Sequence, residues 1–123
     1  MAEAKRQAAE KRGRKGEWAA ALFLQLKGYR ILDRRVRTPL GEVDLIARRG
    51  GVVAFVEVKY RASLHGALDA VSPGAWQRID RASEFWMARY PALADLGWRY
   101  DLIAVAPWRM PLHVRDAWRP GMA

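Results

Sequence analysis

The chain has 123 residues, a length typical of one domain with a substantial core. It contains no cysteine, which excludes disulfides and thiolate metal sites. A formal charge of +9 and an isoelectric point near 10.6 favour a polyanionic partner such as DNA or RNA. The longest early apolar run, residues 18–24, is too short for a membrane span, and no secretion signal is evident. We therefore expect a cytoplasmic protein without a membrane partner.

The first fifteen residues carry six basic side chains against two glutamates and are rich in alanine. Alanine and charged residues favour a helix, but Gly13 and Gly16 interrupt the pattern and no apolar face is present. We predict a basic, flexible arm over residues 1–15 and a single domain over residues 16–123.

Residues 16–27 are predicted to form the first helix, because apolar residues recur there at helical spacing: Ala19, Leu22, Phe23 and Leu26. Gly28 is a natural end for this helix. A first strand follows over residues 29–36, and Pro39 lies in the connection to the next strand.

Residues 42–48 and 52–60 are predicted to form a hairpin around Gly50-Gly51, since glycines suit a two-residue turn. A tight turn sets Arg49 opposite Val52, and counting outward then sets Asp44 opposite Glu57. Side chains alternate along a strand, so Glu57 and Lys59 share one face. Three charged residues thus lie in strands that otherwise look buried, where charges need a partner or a function.

Two opposed carboxylates repel each other, and a divalent cation is the simplest reason to keep them together. We expect Asp44, Glu57 and the main-chain carbonyl of Val58 to bind Mg²⁺ or Mn²⁺ through oxygen. Lys59 would orient the attacking water or stabilise charge on a phosphate. The alternative is a surface hairpin whose acids and lysine only pair with each other.

After a loop over residues 61–71, Ser72 and Pro73 are typical of a helix start, and the helix is predicted to reach residue 90. Its apolar stripe is Trp76, Ile79, Ser83, Trp86 and Tyr90. Strands over residues 98–106 and 113–118 complete an αβββαβ(β) order. This order predicts an α/β fold with a central mixed sheet flanked by helices.

Several isolated residues have structural interpretations. Asp101 opens the fourth strand and is expected to pair with a core arginine, with a metal role as the alternative. Trp76, Trp86 and Trp98 are expected in the core. Trp108 and Trp118 lie in a weakly patterned tail that would suit a dimer surface.

Arginine clusters flank the hairpin and suit bidentate phosphate contacts. The predicted nucleic-acid contacts are Arg34, Arg35, Arg37, Arg48, Arg49 and Arg61. Some of these arginines would serve only to solubilise the surface, and basic charge alone does not separate a nuclease from a simple binder.

Asp44 followed by Glu57-x-Lys59 resembles the D…(D/E)-x-K signature of the PD-(D/E)XK nuclease superfamily. A longer run resembles the UPF0102 (YraN-like) family, whose members look like Holliday-junction resolvases. The matching pieces are residues 16–17, 28–32, 41–47, 55–61 and 99–103. Val43 stands where the superfamily name expects proline. Arg35 and Ala75 depart from the asparagine and lysine expected in the smaller family, at positions that concern substrate contacts.

The resemblance implies a restriction-endonuclease-like fold and a catalytic set of Glu17, Asp44, Glu57 and Lys59. It also implies a Mg²⁺- or Mn²⁺-dependent endonuclease that acts on DNA rather than RNA, with branched or structured DNA as the substrate. By analogy with resolvases we expect a homodimer. The alternative is a nucleic-acid-binding module or adaptor that has the nuclease fold but no turnover. The bland interpretation of Glu17 is a carboxylate placed in the first turn of its helix.

Overall fold

The computed structural model describes residues 2–122, the side chains of residues 6–12 excepted. Helix α1 covers Ala2–Leu26 and helix α2 covers Pro73–Met87. The five strands are β1 Arg30–Thr38, β2 Gly41–Arg49, β3 Val52–Tyr60, β4 Gly97–Val105 and β5 Leu112–Trp118. Short 3₁₀ helices lie at Ala67–Ala70 and Pro91–Leu93. The predicted αβββαβ order and the α/β class are confirmed.

The strands form one mixed sheet in the order β1-β2-β3-β4-β5. Strands β3 and β4 are parallel, because α2 carries the chain across the sheet between them, and the other neighbours are antiparallel. Arg49 pairs with Val52 across the Gly50-Gly51 turn, and the ladder runs outward to Leu45 opposite Val56. This is the register that the tight turn predicted.

The two faces of the sheet carry separate apolar cores. Helix α2 packs Trp76, Ile79 and Trp86 on one face, together with Phe55 and Tyr100 from the sheet. Helix α1 covers the other face and packs against the middle of β2, β3 and β4. Its apolar residues Ala20, Ala21 and Leu24 lie in one core with Leu45, Val56 and Ile103 of the sheet. Each fully buried large side chain contributes roughly 1.5–3 kcal/mol, so both helices are held mainly by apolar contact.

Helix α1 begins at Ala2, and the predicted start at Gly16 is wrong. Its first half is rich in alanine, lysine, arginine and glutamate, which are strong helix formers, and Gly13 and Gly16 each oppose them by only about 1 kcal/mol. The flexibility predicted for residues 1–15 stays a prediction, and Met1 lies outside the described residues. Although α1 has 25 residues, neither it nor any other helix of residues 2–122 is apolar and long enough to cross a membrane.

Helix α2 begins as predicted, since the Ser72 hydroxyl accepts a hydrogen bond from the Ala75 N–H at 3.1 Å. The helix ends at Met87, so Tyr90 lies beyond it and is exposed. Two tryptophan predictions are wrong. Trp98 is 40% exposed at the start of β4, whereas Trp118 is buried against Trp76 and Tyr100. The bulge between β4 and β5 turns Trp118 inward.

Asp101 is fully buried under the C-terminal end of α1, and the predicted pairing with an arginine is confirmed. Arg99 donates two hydrogen bonds of 2.8 Å to its carboxylate, and His113 Nε2 lies 2.8 Å away. Lys27 Nζ lies 2.6 Å from His113 Nδ1 and holds the imidazole in place. Burial alone would raise the pKa of Asp101, but these hydrogen bonds and the Asp116 N–H lower it to about 2.

Asp101→Asn is expected to destabilise the fold by about 3 kcal/mol at pH 7, because Arg99 and His113 lose their buried anion. The native pKa of Asp101 lies below its ordinary value near 3.8, so its stabilisation is present above about pH 4 and is lost as the pH falls toward 2. Urea denaturation should therefore show a gap between the free energies of unfolding of wild type and variant, and this gap should narrow between pH 4 and pH 3. A gap that is equally large at pH 3 would contradict this account.

Gly41→Ala is expected to cost about 2 kcal/mol, because a β carbon there would lie 2.5 Å from the main-chain oxygen of Arg78 in α2. Gly74→Ala is the matched control. The nearest atom to its added carbon is the flexible end of Arg78 at 3.8 Å, and alanine favours the helix. Thermal denaturation should show a lower melting temperature for the first variant only. Equal stability of the two would show that β2 and α2 are not tightly apposed.

Candidate active site on the β2–β3 hairpin

Asp44 lies where the β2–β3 ladder ends. The last backbone pair joins Leu45 and Val56, and the same register sets Asp44 opposite Glu57, as the hairpin predicted. Beyond that pair, the Val58 N–H donates its hydrogen bond to a side chain of β2 instead of to a main-chain carbonyl of β2. The acceptor is Asp44 Oδ2, at 2.8 Å. The open end of the hairpin therefore holds a carboxylate instead of a continued ladder.

Glu57 and Lys59 project together from the β3 face that α2 covers. Lys59 Nζ lies 3.5 Å from Glu57 Oε1, and their side chains are 28% and 17% exposed. They line a cavity of about 320 Å³ that is also bordered by α2 residues, including Arg78. Glu42 lies beyond the β2–β3 backbone ladder but lines the same cavity.

The two carboxyl groups are close enough to hydrogen-bond each other when one of them is protonated. Burial is the largest cause that raises the pKa of both Asp44 and Glu57. The charge of Asp44 raises the pKa of Glu57 further, and Lys59 opposes that change. The hydrogen bonds from the Val58 N–H and from Glu57 oppose the rise in the pKa of Asp44. Without a cation the pair therefore tends to hold a proton at neutral pH.

Glu17 reaches the same region from α1, but it is tied to Arg35 on β1. Arg35 Nε donates to Glu17 Oε2 at 2.6 Å, and both residues border a cavity of about 430 Å³ together with Asp44. Arg35 has a left-handed backbone with φ 49, which costs a non-glycine residue roughly 1–2 kcal/mol. Such strain is commonest at functional sites. The charge of Glu17 still contributes to the raised pKa of Asp44.

Two carboxylates suit Mg²⁺, which keeps several waters and is often bound by one or two carboxylates plus substrate oxygens. Backbone N–H and C=O of one extended residue point to the same side, so the Val58 carbonyl faces the Asp44 side of β3. Over the part of the chain that the structure describes, no three histidine or acidic side chains stand close enough to enclose a metal. Asp44, Glu57 and the Val58 carbonyl fit a partly hydrated ion.

The six predicted nucleic-acid arginines lie in three places. Arg34, Arg35 and Arg37 border the cavities around Glu17 and Asp44. Arg48 and Arg49 lie at the Gly50-Gly51 end of the hairpin, about 15 Å along β2 from Asp44. Arg61 is exposed directly after β3, and its main-chain N–H donates a hydrogen bond to the Val105 carbonyl at 2.9 Å.

Two basic residues at the cavities were missed in the sequence. Arg14 lines the cavity of Asp44, and a helix continued upstream of Gly16 would have placed it one turn before Glu17. Arg78 lines the cavity of Glu57 and Lys59, but it sits beside the apolar stripe of α2 and carries no local signal. Only the packing of α2 on the sheet brings it to the hairpin.

Comparison with known proteins gives a consistent match over most of the chain. A model described as "Uncharacterised protein family UPF0102" matches residues 16–105, a range that contains all four predicted catalytic residues. A UPF0102 protein of Chelativorans sp. is 57% identical over 111 residues, which cover 90% of each chain. Another, of Mesorhizobium japonicum, is 53% identical over 114 residues, which cover 93% of this chain and 91% of the relative.

Glu57→Gln is expected to stabilise the metal-free protein, because it removes one of two adjacent, partly buried carboxyl groups. The native pKa of Glu57 is raised, so wild type loses stability as the pH rises above the ordinary glutamate range, whereas the variant does not. At pH 9 we expect the melting temperature of Glu57→Gln to be about 4 °C above that of wild type, which corresponds to ~1 kcal/mol in the free energy of unfolding.

Glu42→Gln is the control for this measurement. Its carboxylate is 68% exposed on the same hairpin and is only loosely paired with Arg37, so its loss should change stability by less than about 0.5 kcal/mol. A Glu57→Gln variant that melts below wild type at pH 9 would show that the acids are satisfied without a cation.

Proposed function

This chain belongs to the UPF0102 family, and from the residues that its hairpin brings together we propose that it is a Mg²⁺- or Mn²⁺-dependent endonuclease acting on DNA. One observation carries the proposal. Asp44 and Glu57 lie side by side and are both partly buried, and Lys59 Nζ stands 3.5 Å from Glu57 Oε1. This arrangement opposes stability in the metal-free chain, which favours a functional reason for it.

Asp44, Glu57 and the Val58 carbonyl would hold the ion. A bound divalent cation would neutralise the two carboxylates and act as a Lewis acid toward the phosphate. Glu57 positions Lys59, whose ammonium group donates hydrogen bonds to the attacking water or to a phosphate oxygen. Water adds to phosphorus and one phosphorus–oxygen ester bond breaks, which leaves a phosphate monoester and a hydroxyl group.

Arginines near the two cavities would bind the phosphates of the DNA backbone. Arg35 and Arg37 border the cavity of Asp44, and Arg78 borders that of Glu57. Contacts of this kind hold phosphates without reading the sequence. The preference for DNA over RNA, and for branched or structured DNA, rests on the resemblance to resolvase-like nucleases.

A second candidate function is binding without turnover. It is supported by the pairing of Glu17 with Arg35 and by the lack of a third acid beside Asp44 and Glu57 among the described side chains. A binding module would use the same arginines and would show strong salt dependence but no response to divalent metal.

Cleavage of labelled four-way-junction, flap, duplex and single-stranded DNA tests the proposal. With Mn²⁺ or Mg²⁺ we expect Glu57→Ala and Lys59→Ala to lose at least about a hundredfold in rate, because both act on the reacting phosphate. Binding of the same DNAs, measured without metal, should stay within a few-fold of wild type.

Lys5→Ala is the matched control, because it removes the same charge from the start of α1, about 18 Å along the helix from Glu17. It should cleave at close to the wild-type rate when the protein is in excess. If wild type binds these DNAs but never cuts them with either metal, the binding module becomes the better account.

A further inference from the structure

A second cavity lies beside that of Asp44, and an exposed tryptophan forms part of it. Trp18 on α1 is 65% exposed, although it is the largest apolar side chain on that helix. The cavity has a volume of about 260 Å³, and its remaining lining residues are Arg14, Glu17, Arg34, Arg35 and Leu45. An apolar surface is thus bordered by three arginines and one glutamate.

This combination suits a nucleobase that carries its phosphate with it. An indole offers a flat face on which any base can stack, and guanidinium groups bind phosphate and stack on bases as well. Arg14 lies one helical turn before Trp18 and shares its side of α1. Leu45 also lines the cavity but is fully buried, so the indole of Trp18 is the exposed apolar surface there.

The Trp18 cavity adjoins the proposed catalytic region. Arg14, Glu17 and Arg35 border both the Trp18 cavity and the cavity of Asp44. A nucleotide whose base lies on Trp18 would therefore place its backbone next to the carboxylates of the hairpin.

We propose that Trp18 stacks on an unpaired base, so that the preferred substrate has single-stranded nucleotides next to the bond that is cut. This inference rests on the proposed nuclease function. Bases inside a duplex are stacked on each other and present no free face, whereas flaps, overhangs and unpaired junction arms do. Trp18 would act as a specificity-determining residue and take no part in the chemistry.

A second copy of the chain is the competing occupant, because Trp18, Leu22 and Leu26 form an exposed stripe at four-residue spacing. The charges favour the nucleic acid. Two copies that met at Trp18 would bring their arginine clusters together, whereas a phosphate neutralises them. Leu22 and Leu26 do not line the Trp18 cavity, so they serve as matched controls.

The test measures binding by fluorescence anisotropy in EDTA, where no cleavage occurs. The probes are a blunt duplex, the same duplex with a six-nucleotide single-stranded tail, and that tailed duplex with abasic sites through the tail. We expect wild type to bind the normal tail about tenfold more tightly than the abasic tail. Trp18→Ala should lose this difference, Trp18→Phe should keep part of it, and Leu26→Ala should match wild type.

Equal affinity of wild type for the normal and abasic tails would overturn the proposal. So would a Trp18→Ala variant that keeps the difference. If Trp18→Ala and Leu26→Ala instead both disrupt a dimer in sedimentation experiments and neither alters tail binding, the stripe is a contact between copies. Cleavage assays decide the nuclease proposal separately, since base preference in EDTA needs no turnover.

Discussion

The constraint on which the site depends is the close approach of two partly buried acids, Asp44 and Glu57, at the open end of the β2–β3 hairpin. Burial raises the pKa of both acids, and the charge of Asp44 raises that of Glu57 further, so the charged pair opposes folding and the surrounding structure has to hold it there. The tight turn at Gly50-Gly51 fixes their register, and the contact of Gly41 with α2 leaves no room for β2 to shift. Stability built elsewhere maintains a site that is itself unfavourable.

Asp101 shows what a buried acid looks like when its function is structural. Its carboxylate is hydrogen-bonded by Arg99, His113 and the Asp116 N–H, and these contacts lower the pKa of Asp101 to about 2. Asp44 and Glu57 differ, because each faces another acid and the pKa of both is raised. The two sites are only a few residues apart across β3 and β4, where Val56 pairs with Asp101. The same sheet thus holds one acid whose charge is satisfied by its partners and one pair whose pKa values are raised.

Local geometry made the hairpin predictable from sequence, since a two-residue turn determines every pair outward to Leu45 and Val56. The start of α2 was equally predictable, because the Ser72 side chain caps the N-terminus of that helix. Features set by tertiary packing were not. Arg78 reaches the cavity only through the placement of α2, and the inward turn of Trp118 depends on a bulge. Helix α1 extends through Gly13 and Gly16, which hid Arg14 from the predicted site.

If the paired acids exist to bind a divalent cation, calorimetric titration with Mn²⁺ at pH 8 will detect that binding. We expect one Mn²⁺ per chain, protons released on binding as the pair gives up its shared proton, and no binding by the Asp44→Asn and Glu57→Gln variants. If wild type binds no Mn²⁺, or if both variants bind it as well as wild type does, the carboxylate pair is not a metal site and the nuclease account fails.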